Sequence, residues 1–180
     1  NFDSQEMVIW GRCGEQSVGL QRSRQGDIAI KIDGEKVKRL TRLVECLPLQ
    51  VITPDSFSLL TSGPKLRRQF IDWGVFHLDN EFYQIWSKCR RLLRQRNSLL
   101  KRKASYREIS FWDRELSELS ERLSDLRCGY IDSFNPVLQG IIECFLPGVA
   151  IHVGYSPGWD RKLALADLLE KNYQRDLSLG

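Results

Sequence analysis

Two long stripes of apolar residues at helical spacing set the main limit on what this chain can fold into. The first stripe runs through residues 82–100 and the second through 112–130, with a less regular continuation to Phe145. Positions three and four apart share one face of an α-helix, so each stripe predicts a long amphipathic helix. The break at 105–110 predicts a short turn between two antiparallel helices. Pro136 predicts a kink or a boundary in the second helix.

The beginning of the sequence carries strand patterns instead. Three short apolar or alternating runs, MVIWGRC, SVGL and IAIKI, predict strands. The Asp33-Gly34 pair follows IAIKI directly, and Asp-Gly between strand-like runs is a strong signal for a two-residue type I′ turn. We therefore expect an antiparallel hairpin at this point.

Further segments complete the expected architecture. Residues 37–47 have helical spacing and predict a helix that ends at Pro48. LQVIT (49–53) predicts a buried strand, VAIHVGY (149–155) a second strand, and residues 163–177 a final helix. Strands, a long helical pair, and then strand and helix again predict an α+β fold with a helical arm inserted in it.

Composition and motifs exclude several classes of protein. The net charge is +4, and the five cysteines are far apart with no C-x-x-C pair, which argues against zinc sites and disulfide frameworks and favours reduced thiols. No apolar run is long enough for a membrane span. The sequence contains no phosphate-binding loop, dinucleotide-binding or zinc-protease motif, so we expect no catalytic, cofactor or metal residues within it. Because it starts without methionine, we expect it to be part of something longer.

Positive charge is concentrated on the first long helix. Residues 88–103 hold eight basic side chains and no acidic one. These cations could follow a nucleic-acid backbone, because lysine and arginine contacts to phosphate supply the sequence-independent part of DNA affinity. They could also pair with acidic side chains of the facing helix or form a solvated face. The acidic side chains in question are Asp113, Glu115, Glu118, Glu121 and Asp125.

Three other charged positions require an explanation. Arg96 falls on the apolar stripe, where an unpaired charge would be costly: either its guanidinium meets a carboxylate or its stem is buried and its head emerges, and we favour a structural ion pair. A helix starting at Gly63-Pro64 would place Arg67 and Arg68 in its first turn, against the helix dipole, so an anionic group should be nearby. Arg68 and Asp72 are four residues apart and could pair on the helix surface.

The segment PDSFSLLTSGPKLRRQFIDW resembles the signature of the RecF family of bacterial recombination proteins. The matching positions are Pro54, Asp55, Leu59, Leu60, Gly63, Pro64, Arg67, Arg68, Phe70, Ile71 and Asp72. Ser62 replaces a usual glycine, and Ser156-Pro157 departs from the usual arginine-glycine surroundings. RRLLRQRNSLL around Arg96 and the later Gly158-Trp159 and Arg175-Asp176 pairs also resemble the family.

This resemblance implies a cytosolic DNA-repair protein related to ABC- and SMC-type ATPases. Such a parent would bind ATP and magnesium, dimerise with ATP, and bind DNA at single-strand gaps. It would help to load RecA together with RecO and RecR, and would act in replication, recombination and the SOS response. Its phosphate-binding loop and ABC signature would lie outside this sequence, so the chain alone should not hydrolyse ATP, although the parent could be a weak ABC-type ATPase.

The resemblance also implies a division into segments. Residues 1–53 would form the β-rich part of an ATPase head, 54–79 a connector, 80–147 the helical lobe, and 148–180 a return towards the head. The DNA-binding candidates are Lys65, Arg67, Arg68, Arg90, Arg91, Arg94, Lys101 and Arg102, and the ion-pair candidates are Arg68, Asp72 and Arg96. The alternative is a helical-hairpin module that binds another protein and no nucleic acid, which predicts an exposed apolar strip on the arm.

Overall fold

A computed structural model describes residues 4–179, which form two compact units, 4–57 and 58–179. The first unit holds β1 (Glu6–Cys13), β2 (Gln16–Ser23), β3 (Ile28–Ile32), β4 (Glu35–Val37), α1 (Leu40–Cys46) and a 3₁₀ turn (Pro54–Phe57). The second holds α2 (Ser58–Thr61), α3 (Pro64–Leu78), α4 (Phe82–Lys101), α5 (Tyr106–Phe145), α6 (Leu165–Lys171) and α7 (Tyr173–Leu179). Residues 1–3 and 180, at the outer edges of the expected segments, lie outside the described range, and the four-segment division stays a prediction.

The first unit is built on a four-stranded antiparallel sheet in the order β1-β2-β3-β4. Asp33 and Gly34 connect β3 to β4 with φ angles of 50° and 84°, while Ile32 pairs with Glu35. Two consecutive positive φ angles in a two-residue connection are the mark of a type I′ turn, so the predicted hairpin is confirmed. Ile30 and Ile32 of β3 are the buried apolar residues of this sheet.

Two expectations for the first unit require correction. The helix expected at 37–47 is shorter, because Val37 ends β4 and α1 begins only at Leu40. The buried strand expected at 49–53 is wrong: these residues have no strand pairing, and Ile52 is 86% exposed. Apolar composition alone suggested this strand, but among residues 4–179 no neighbouring strand pairs with it.

The second unit contains the predicted antiparallel hairpin, formed by α4 and α5. The turn between them ends at Ser105, which begins α5 with a capping box: the Ser105 N–H and hydroxyl both donate to the Glu108 carboxylate. The bond from the Ser105 N–H to Glu108 satisfies one of the N–H groups left free at the helix start. The helix continues through Pro136, so the boundary considered there does not occur.

Helix α3 packs against α5 and completes the core of this unit. Phe70 meets Phe134 edge to face with ring centroids 6.0 Å apart. At Gly74 the two helices approach so closely that a Cβ would overlap the Tyr130 ring. The buried core is formed by Ile71, Val75, Phe82, Cys89, Leu123 and Ile131.

The segment that follows α5 is not the predicted strand. Residues 149–155 have no strand pairing; side-chain amides hold the backbone instead. Asn135 pairs with the N–H and C=O of Val153, and Gln139 with the Val149 C=O and Ile151 N–H. Two amides four residues apart on α5 thus take the place of a neighbouring strand. The expected final helix is likewise two helices, α6 and α7, which are separated at Asn172.

Candidate nucleic-acid interface

The basic side chains of α4 form an exposed face opposite its buried stripe. Arg90, Arg94 and Lys101 lie within about 40° of one another on a wheel of 100° per residue, opposite the buried Leu92. Since each residue adds 1.5 Å, they span about 16 Å along the helix. Arg91 is also exposed, as is Arg102, the residue that directly follows α4. We refer to Arg90, Arg91, Arg94, Lys101 and Arg102 as the basic face.

The acidic residues of α5 form no ion pair with this face among residues 4–179, although the Arg102 charge adds to the Ser105 hydrogen bonds that lower the pKa of Glu108. Across the hairpin, Lys88 pairs with Glu115, and Arg96 pairs with Asp113. Among residues 4–179, none of the ion pairs includes a member of the basic face. Asp125 pairs instead with Arg161, outside the hairpin. Pairing within the hairpin therefore accounts for Lys88 and Arg96, and it leaves the other cations for solvent or for a partner.

Two contacts fix part of the basic face. The Arg90 guanidinium lies over the Trp86 ring, 4.7 Å from its centroid. Trp86 stacks in turn with Tyr83 at a centroid distance of 6.2 Å. Arg94 donates from Nε to the Arg90 carbonyl at 3.3 Å. A cation held over an aromatic ring loses less side-chain freedom when it meets a phosphate than a freely moving one.

Arg96 lies in the core and is not part of this face. It is 4% exposed, and its Nε donates to Asp113, which is 1% exposed, at 2.6 Å. Its Nη2 is 3.0 Å from Asp176 of α7, but the N–H does not point at the carboxylate, so this contact is an ion pair without a hydrogen bond. Burial raises the pKa of Asp113 despite the opposing effect of the Arg96 hydrogen bond. The cluster joins α4, α5 and α7.

Asp72 has a different partner from the expected one. Its carboxylate accepts two hydrogen bonds from Arg127 of α5, at 2.7 and 3.0 Å, and one from the Trp86 indole N–H at 3.1 Å. Burial alone would lower the pKa of Arg127. The hydrogen bond to Asp72 and the charge of its carboxylate outweigh this effect, so the pKa of Arg127 is raised. The expected Arg68–Asp72 pair does not form, because Asp72 faces the hairpin and Arg68 is exposed.

Arg67 finds its negative partners in backbone carbonyls. Its Nη1 donates to the Ser62 carbonyl at 2.7 Å and approaches those of Leu59 and Leu60 at 3.4 Å. These carbonyls belong to the end of α2 and the turn after it, where C=O groups lack helical partners and carry partial negative charge. The placement of Arg67 at the start of α3 is thereby explained without an external anion. Lys65 and Arg68 are exposed in the same turn.

Sequence reasoning missed several of these residues. Arg127 is 55 positions from Asp72, so local spacing gave no signal for their pair. Asp176 lies in a separate helix, so local spacing likewise gave no signal that it would pair with Arg96. The capping box was readable, because Ser105 and Glu108 have the S-x-x-E spacing that marks a helix start.

Other kinds of site have less support within residues 4–179. No group of three or more potential metal-ligating side chains occurs there. The helices in this range are also too short or too polar to cross a membrane. An apolar strip does occur on α5, where Val137, Ile141 and Phe145 are each more than half exposed at a spacing of four residues.

Comparison with known proteins gives close relatives over part of their length. No protein-family model matches the chain. A Shewanella frigidimarina protein named DNA replication and repair protein RecF is 56% identical over 163 residues, which cover 91% of this chain and 45% of that protein. A Shewanella baltica (strain OS223) protein of the same name is 53% identical over 184 residues, covering 100% of this chain and 51% of the relative. The chain thus spans about half the length of the curated relatives it matches.

A solved structure of the recombination mediator protein RecF-ATP in the RecFOR pathway has the same fold. It superposes with a TM-score of 0.77 at 19% sequence identity, covering 99% of this chain and 52% of that one. A second solved structure, of RecF-ATPrS in the same pathway, gives a TM-score of 0.76 at 18% identity. The small antiparallel sheet and long helices of this chain match these structures, as the predicted α+β fold class requires.

Proposed function

We propose that this chain, which belongs to the RecF family of DNA replication and repair proteins, contributes a DNA-binding surface to such a protein. Its match covers about half the length of those relatives. The basic face of α4 carries this proposal. Its five cations are exposed, and no acidic side chain among residues 4–179 pairs with them. Unpaired cations along one helix fit a phosphate backbone, which they would contact without reading sequence.

The wider activity follows the family. We propose that a protein containing this chain binds DNA at single-strand gaps in an ATP-dependent manner, as a homodimer, and helps RecO and RecR to load RecA. ATP and magnesium would bind residues outside this sequence, which contains no phosphate-binding loop. The chain alone would therefore lack ATPase activity. Action in the cytoplasm, in replication, recombination and the SOS response, belongs to the same proposal.

A titration of the 180-residue chain against a fluorescein-labelled gapped duplex tests the DNA-binding proposal. Fluorescence anisotropy would be measured at about 50 and 200 mM salt, because phosphate contacts make affinity fall steeply with salt. We expect the combined variant Arg90→Gln, Arg91→Gln, Arg94→Gln and Lys101→Gln to reduce the salt slope by about 0.9 for each phosphate that is no longer neutralised. Lys88→Gln is the matched control. Because Lys88 pairs with Glu115, this variant should leave the salt slope unchanged. Equal slopes for the combined variant and the wild type would contradict the proposal.

The exposed apolar strip of α5 favours protein binding as a second candidate function. Val137, Ile141 and Phe145 continue one face of α5 and are 52–78% exposed. A hairpin that acts only through a protein partner would lose its function on Ile141→Asp and keep it when the basic face is neutralised. The DNA-binding proposal predicts instead that, in the anisotropy titration, Ile141→Asp keeps DNA affinity and neutralising the basic face lowers it.

A further inference from the structure

The Asp72 carboxylate joins three helices at one point. It lies on α3, accepts two hydrogen bonds from Arg127 of α5 and one from Trp86 of α4. Arg127 and Asp72 are only 16% and 17% exposed, so this bidentate pair is shielded from solvent. A shielded, bidentate pair has a defined geometry, and it therefore fixes the edge of the Trp86 indole that carries the N–H.

The same indole ring supports a cation of the basic face. Trp86 gives its N–H to Asp72 at 3.1 Å, and its ring face lies 4.7 Å from the Arg90 guanidinium carbon. Stacking on Tyr83 restricts the ring further. A continuous set of contacts therefore runs from the carboxylate on α3 through the indole to the exposed guanidinium on α4.

We propose that Asp72 is a positioning residue for DNA binding, which acts through Trp86 to hold Arg90 in place for a phosphate. This inference rests on the proposed function. Asp72 does not touch the nucleic acid; it fixes the ring that supports the arginine. Helix α3 directly precedes the hairpin, so a shift of α3 against α4 would move Arg90 relative to the rest of the basic face.

Positioning and direct contact predict different effects on the salt dependence. Arg90→Gln removes a cation that neutralises a phosphate, and the salt slope should fall by about 0.9. Trp86→Phe keeps a ring beneath Arg90 but removes the N–H that Asp72 holds. The same phosphates are then still neutralised, so the slope should not change. Affinity should fall by at most about 2–5-fold, the effect of losing an exposed cation–π contact completely.

The test measures duplex-DNA affinity for the variants singly and in pairs. We expect Trp86→Phe to have no further effect in the Arg90→Gln background, because its effect passes through Arg90. In the Lys101→Gln background, at the other end of the basic face, its full effect should remain. Trp112→Phe is the matched control for loss of an indole N–H and should leave affinity unchanged. Equal effects of Trp86→Phe in both backgrounds would overturn the inference, as would a reduced salt slope for this variant alone.

A measurement without DNA separates the inference from the proposed function. The ¹H–¹⁵N signal of Arg90 Nε should be shifted by the ring current of Trp86 in the free chain. Asp72→Asn should move this signal towards that of a freely exposed arginine, and Trp86→Phe offers the same measurement if Asp72→Asn does not fold. A wild-type chain that binds no DNA would overturn the proposed function. An Arg90 signal unchanged in these variants would overturn the positioning role.

Discussion

The buried Arg96–Asp113 pair allows a sharp prediction about stability. Asp113→Ala would leave the Arg96 guanidinium, 4% exposed, with Asp176 alone, a contact that lacks hydrogen-bond geometry. Removing one partner of a buried pair costs about 3–5 kcal/mol when the remaining charge has no hydrogen-bonded partner, which would be the state of Arg96 beside Asp176. With a urea m-value near 2 kcal/mol/M, the unfolding midpoint should fall by roughly 1.5–2.5 M. Far-UV circular dichroism at 222 nm follows this transition, since most of the helix lies in residues 58–179.

Two further variants make this prediction refutable. Arg96→Met combined with Asp113→Leu removes both charges and should be far less destabilised than the sum of the two single variants. Asp125, on the same helix as Asp113, forms an exposed pair with Arg161, and Asp125→Ala should cost far less than Asp113→Ala because solvent screens that pair. The reasoning is wrong if Asp113→Ala costs no more than Asp125→Ala, or if the double variant equals the sum.

Three more predictions concern packing, pH and thiol chemistry. Gly74→Ala should destabilise the helical unit by about 1–3 kcal/mol, because the added Cβ would overlap the Tyr130 ring of α5. Gly140→Ala, with open space around it, should be neutral or stabilising in the same urea titration. The Ser105 hydroxyl and N–H lower the pKa of Glu108 below its ordinary value of 4.5. This cap should therefore stabilise the fold above pH 4.5 and lose its effect as pH falls through the lowered pKa. An NMR titration should find the Glu108 pKa higher in Ser105→Ala than in the wild type. Burial raises the pKa of the Cys89 thiol, so it should react with a disulfide reagent at neutral pH more slowly than the exposed cysteine at the end of α5.

Each of these predictions has a contradicting result. Equal stabilities of the two glycine variants would show that α3 and α5 can separate at no cost. An unchanged Glu108 titration in Ser105→Ala would remove the capping box as its cause. Reaction of Cys89 at the rate of the exposed thiol, in a folded chain, would show that the core opens to the reagent.

The sequence predicted the elements whose signals are local. Asp33-Gly34 specified the hairpin turn through backbone conformations that few residue pairs adopt. The apolar stripes predicted the α4–α5 hairpin because helical periodicity extends over many residues. The strands predicted at 49–53 and 149–155 failed for a shared reason: an apolar run forms a strand only where another strand pairs with it, and pairing is not a local property.

The candidate site depended more on tertiary contacts. The basic face could be read from the charges of α4, but which cations would pair across the hairpin could not. Asp72 was assigned a partner on its own helix, whereas Arg127 approaches it from α5. The carbonyl groups that accept from Arg67 have no side-chain signature at all. The sequence therefore located the charges, and the packing of the helices decided which of them remain exposed.

An NMR footprint of DNA on the chain tests the DNA-binding proposal most directly. ¹H–¹⁵N spectra of the 180-residue chain would be recorded during titration with a short duplex at low salt. The proposal predicts the largest shifts at the backbone amides of Arg90, Arg91, Arg94 and Lys101 and at the Nε groups of the three arginines. Little change is expected near the Lys88–Glu115 pair. Shifts that instead cluster at the apolar end of α5, or none in a folded chain, would contradict it.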